Sequence, residues 1–123
     1  MKWLLLCVLV LAHSGRGAGE DLPDATLVVY NPNYPDSKTL AEYYAEKRAV
    51  PKDRLIALPC SNDEEIGRDE YDNTIAGPLR NHFQDAQLWT FASGTEPRVI
   101  SNKIRYIVLL RGIPWPSGNS GPP

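Results

Sequence analysis

Thr26-Leu27-Val28-Val29-Tyr30, followed by the turn Asn31-Pro32-Asn33-Tyr34-Pro35-Asp36-Ser37, decides the fold. The first five residues are rich in β-branched and aromatic types with no polar alternation. That predicts a strand covered on both faces, as in a parallel sheet. Pro32 and Pro35 lack the N–H donor and favour a turn over a continued strand. Asp36 or Ser37 is then expected to offer a side-chain oxygen to the free N–H groups of a helix start. From Thr39 to Ala49 the composition favours helix, with Ala41, Ala45 and Ala49 recurring every four residues and Leu40 and Tyr44 on the flank. Small residues in a row let a helix lie close on a sheet, and Pro51 stops it.

Beyond that unit, Pro51-Lys52-Asp53 turns the chain into a second strand expected at Arg54–Leu58. Pro59 ends it and Cys60-Ser61-Asn62-Asp63 follows as a loop. A strand, a helix and a second strand make a βαβ unit, whose crossover is right-handed. Ile104 to Leu110 is the most apolar stretch outside the amino terminus and predicts the third strand, closed by Arg111-Gly112-Ile113-Pro114. The fold class is therefore α/β: a three-stranded, mainly parallel sheet of order 2-1-3 with two helices, a Rossmann-like or flavodoxin-like fragment. Ser61 and Glu64 have capping-box spacing, so a first helical turn is expected there. The second helix is expected from Asp69, since Tyr71, Ile75, Leu79 and Phe83 recur at intervals of four. Pro78 should remove one hydrogen bond from it and kink it. Leu88–Phe91 and Arg98–Ile100 flank Ser93–Pro97 as a small hairpin. Residues 115–123 have no periodic apolar face and are expected to be irregular.

Met1-Lys2 and the apolar run Trp3–Ala12 have the shape of a secretory signal, which predicts export to the periplasm, the cell surface or the medium. The apolar core is shorter than the roughly 20 residues of a membrane span. Cleavage fits after Ser14 or after Gly19, leaving a domain over residues 20–114. Removing residues 1–19 takes away Lys2 and Arg16. The chain's 13 Lys and Arg fall to 11 against 15 Asp and Glu, and the net charge goes from −2 to −4. With no basic footprint, nucleic acid is not an expected partner. Cys7 leaves with the leader, so Cys60 remains alone. The default for a lone cysteine is a buried thiol, with pairing to another chain or reactivity as alternatives.

Ligands of open α/β sheets bind beyond the carboxyl ends of the strands, where strand order reverses. For order 2-1-3 that crevice is lined by Asn31, Asn33, Asp36 and Ser37 on one side and by Arg111 and Gly112 on the other. Asn31 and Arg111 supply donors, and the helix start offers N–H groups to a carboxylate or phosphate. The same residue types also suit a plain turn and cap. Asp63, Glu64, Glu65, Asp69, Glu70 and Asp72 form an acidic cluster without calcium-loop spacing, so it reads as a solvated helix start. No phosphate-cradling glycine motif is present. No metal and no cofactor is expected. A Cys60–His82 dyad would need a hydrogen bond, yet the expected helix sets the two about 20 Å apart.

Several stretches together resemble an uncharacterised family of exported bacterial proteins found in species with the exosortase protein-sorting system. They are Leu27–Asn31, Ser37 with Leu40–Arg48, Glu65-Ile66 with Arg68 and Glu70-Tyr71, Pro78-Leu79, and Ile104–Val108 through Gly112–Pro114. The resemblance implies an exported α/β protein and carries no catalytic residue. Members look longer than this chain, which implies an amino-terminal part of a larger domain. The leading expectation is a binding or interaction module in cell-envelope or surface protein handling, with an unidentified small ligand or protein partner. The alternatives are the amino-terminal fragment of a caspase- or gingipain-like cysteine peptidase or other hydrolase, and a nonfunctional truncated remnant.

Overall fold

The computed structural model describes residues 22–96 and 98–118. The proposed leader and the end of the tail, from residue 119, lie outside them. A central strand β1, Thr26–Tyr30, is followed by helix α1, Ser37–Arg48, and strand β2, Leu55–Ala57. Next come a two-residue strand β3, Glu65–Ile66, and a helix in three parts: α2 at Arg68–Tyr71, a π-helical turn at Asp72–Ala76, and α3 at Gly77–Asp85. Strands β4, Trp89–Phe91, β5, Val99–Asn102, β6, Tyr106–Leu109, and β7, Trp115–Pro116, complete the order.

The main sheet is β2-β1-β6, parallel throughout, which is the expected 2-1-3 order. β1 takes the centre because its side chains are apolar on both faces. Leu27, Val28 and Val29 are 0% exposed, each contributing roughly 1.5–3 kcal/mol by leaving water. Val28 packs with Ala41, Ala45, Val50 and Leu110 under α1. Leu27 and Val29 point the other way, into a larger cluster with Leu58, Ile66, Ile75, Phe83, Leu88 and Ile104. One helix therefore covers each face of the sheet. β4 and β5 form the expected antiparallel hairpin, and Trp89 on it meets Phe83 of α3 at a tilt and Phe91 edge-on.

The structure departs from expectation at local points. Neither Asp36 nor Ser37 caps α1 with its side chain: Asp36 sits in left-handed conformation at φ 64°, and the Ser37 hydroxyl is engaged elsewhere. Ala49 leaves the alanine stripe because it ends the helix at φ 55°, with the Val50 N–H closing onto the Ala45 carbonyl. The second strand is shorter than expected because Lys52–Arg54 winds into a 3₁₀ turn. Ser61 starts no helix. Its hydroxyl accepts from the Asp63 N–H at 3.1 Å and donates to the Asp63 carboxylate at 2.7 Å, and Glu65–Ile66 extends to pair in parallel with Trp115–Pro116. Around Pro78 the helix widens instead of breaking. Gly77 N–H reaches back five residues to the Asp72 carbonyl, the π pattern that accommodates a position with no donor.

Candidate functional site at the carboxyl rim of the sheet

The three main strands all end at one rim, and Asn31 lies at its centre. Because β1 runs straight into the Asn31–Ser37 turn, the Asn31 side chain falls between the turns that follow β2 and β6, fully buried. Its Nδ2 donates to the Gly112 carbonyl at 2.9 Å. The same amide lies 3.2 Å from the Cys60 and Ser61 carbonyls and 3.3 Å from Asn62 Oδ1. Its Oδ1 accepts from the Asn33 N–H at 3.0 Å and from the Cys60 N–H at 3.4 Å. Its backbone N–H is held by the Ser37 hydroxyl at 3.2 Å. One side chain thus ties three chain reversals together, using both its donor and acceptor ends.

Asn33 continues this clasp, donating to the Cys60 carbonyl at 3.3 Å, while Asn62 donates to the Asn33 carbonyl at 3.1 Å. Gly112, at φ 98°, lies so close to Tyr34 that an added Cβ would stand 2.3 Å from the ring's Cγ. Arg111 lays its guanidinium 5.8 Å from the centre of the same ring. Of the six residues expected at the rim, Asn31 and Ser37 are turned inward, Gly112 lends its carbonyl and close backbone, and Asn33, Asp36 and Arg111 remain exposed.

Above this clasp lies an open groove of about 700 Å3, lined by Tyr34, Pro35, Asp36, Ser37, Thr39, Leu40, Tyr43, Asn62 and Arg111. It offers two opposite charges, Asp36 and Arg111, with aromatic and aliphatic walls between them. Tyr34, Asn62 and the outer face of α1 were not anticipated. A signal for Asn62 existed, since the loop after a second parallel strand must end on the same rim as the turn after the first.

Cys60 is buried beside the clasp, its thiol 3.9 Å from the Gly112 carbonyl. Burial pushes the thiol pKa up, and the Glu70 carboxylate adds to that shift. His82 lies on α3 with its buried Nε2 unpartnered, so no hydrogen bond links that nitrogen to Cys60. Among the described residues no helix is long and apolar enough to cross a membrane.

The fold and the rim define an open α/β domain with a preformed groove at its topological switch point. No protein-family model, no curated protein and no solved structure matches this chain.

Proposed function

We propose that the chain is an exported binding module, acting in the handling of envelope or surface proteins, whose ligand lies in the rim groove. The observation that carries this reading is the division of labour at the rim. Asn31 and Ser37, with Asn62, are spent on holding the turns together, leaving the exposed Asp36 and Arg111 beside a groove walled by Tyr34, Leu40 and Tyr43. Pre-organisation of that kind lowers the ordering cost of binding. The neutral, buried Cys60 suits packing better than nucleophilic work, which needs an accessible thiolate. The leader-like amino terminus and the resemblance to exosortase-associated exported proteins supply the compartment.

The guest that fits is a short peptide segment, its free carboxylate or acidic side chain on Arg111 and an amine toward Asp36. Titration of the labelled protein with short peptides, followed by amide NMR, tests this. Shifts centred on Thr39, Leu40, Tyr43 and Arg111, lost in Arg111→Ala, support the reading. Peptides that leave those amides unmoved, or that are cleaved on incubation, contradict it.

A further inference from the structure

We propose that Tyr34 is the positioning residue of the rim groove: its ring holds the Arg111 guanidinium in place as the anchor for a guest's carboxylate. This rests on the groove reading above and names the group that sets its preference for an acid. The Tyr34 backbone is bonded on both sides. Its N–H donates to the Asn31 carbonyl at 3.1 Å, and its carbonyl accepts from the Ser37 N–H at 3.3 Å. The root of the ring is packed as firmly. It lies so close to the Gly112 backbone that a Cβ there would stand 2.3 Å from Cγ and 2.8 Å from Cδ2.

Arg111 is fixed at its backbone and exposed beyond it. On one side the Leu110 N–H donates to the Val29 carbonyl, and on the other the Gly112 carbonyl accepts from the Asn31 amide. Asp36 lines the rim groove with Arg111, and Asp63 and Glu64 line a neighbouring groove with it. Among the described residues, none of these three carboxylates comes within ion-pair distance of the guanidinium. Its contact is the Tyr34 ring, whose centre lies 5.8 Å from the guanidinium carbon. That is inside the roughly 6 Å over which a ring face attracts a cation. A guanidinium so held keeps its charge and its fork of N–H donors, which matches a carboxylate. Ordering a long side chain on binding costs free energy, and the ring meets that cost before a guest arrives. The asymmetry is therefore built in: an unpaired cation stands already placed at the mouth of the groove.

The test uses the full chain and two peptides, Val-Leu-Glu amide and Val-Leu-Gln amide, each with a free amino terminus, titrated by amide NMR. They differ by one carboxylate, so the ratio of their affinities reads the contribution of Arg111. The ratio should favour the glutamate peptide in the parent, fall roughly fivefold in Tyr34→Leu, and hold in Tyr34→Phe, which keeps the ring. In Arg111→Ala it should be near one, and adding Tyr34→Leu to that variant should change it no further. A ring that merely supported the turn would weaken both peptides alike. In the parent without peptide, Arg111 side-chain protons should give cross-peaks to the Tyr34 ring, a readout that needs no variant to fold. An unchanged ratio in Tyr34→Leu, an equal fall in Tyr34→Phe, or no such cross-peaks overturns the proposal and leaves the groove reading standing. Peptides that leave every amide of the parent unmoved end the groove reading, and this proposal with it.

Discussion

Asn31 and Gly112, 81 positions apart in the chain, are joined by a 2.9 Å hydrogen bond from the asparagine amide to the glycine carbonyl. That bond closes the end of β1 onto the turn after β6, while the same side chain holds the loop after β2. The rim is consequently one hydrogen-bonded unit, centred on a buried amide and extended by Ser37, Asn33 and Asn62.

Asn31→Ala is expected to destabilise the fold by about 2–3 kcal/mol, because several buried backbone groups lose their partner together. Asn31→Asp should cost more at neutral pH, since a carboxylate cannot donate to the Gly112, Cys60 and Ser61 carbonyls that now face the amide. Its deficit should shrink as pH falls and the carboxyl takes up a proton. Urea unfolding of the three proteins checks this, and a loss under about 0.5 kcal/mol for Asn31→Ala would remove the clasp from the account.

Gly112→Ala should destabilise by about 3 kcal/mol, combining an unfavourable backbone angle with a side-chain clash. The angle is φ 98°, and the clash is with Tyr34. Tyr34→Ala removes only the second cause. The double variant is therefore expected to lose less than the sum of the two single losses. Additive losses would mean that the two turns do not touch.

Glycine to alanine inside a helix ordinarily stabilises by up to about 1 kcal/mol. Gly77→Ala should do the reverse, because the new Cβ would stand 2.8 Å from the Asp72 backbone oxygen in the π turn. A lowered melting temperature supports the π geometry. A raised one would show an ordinary α-helical turn there.

The Cys60 thiol is held above its ordinary value of 9.0 by burial and, secondarily, by Glu70. A folded pKa above the unfolded one means that the folded state keeps its proton more firmly. This contribution to stability is complete below pH 9.0 and is lost as pH rises through the folded value. Urea midpoints should fall with pH across that window less steeply in Cys60→Ala than in the parent. The native thiol should also react with a disulfide reagent far more slowly than the urea-unfolded one. Equal rates would place Cys60 at the surface.

The parallel sheet of order 2-1-3 was expected from short apolar runs at Thr26–Tyr30, Arg54–Leu58 and Ile104–Leu110, each bounded by turn residues. The meeting of Asn31 with Gly112 at one rim followed from that order. The local chemistry was not legible in the same way. Ser37 has the composition of a cap, yet the Asn31 N–H, six residues earlier, claims its hydroxyl. Ser61 and Glu64 have cap spacing, but the short pairing of β3 with β7 draws Glu65 and Ile66 into extended form. Contacts between distant segments outweighed local preference at both places. The π turn before Pro78 escaped for another reason: periodicity counts side chains and does not register one extra residue in the backbone ladder.

The central claim, that Asn31 clasps the three strand ends, is tested most directly by its own side-chain amide protons in NMR. The account predicts slowly exchanging Nδ2 protons with cross-peaks to Gly112 and to Cys60 and Ser61. Protons that exchange at the rate of a free amide, with cross-peaks to none of these three residues, would contradict it.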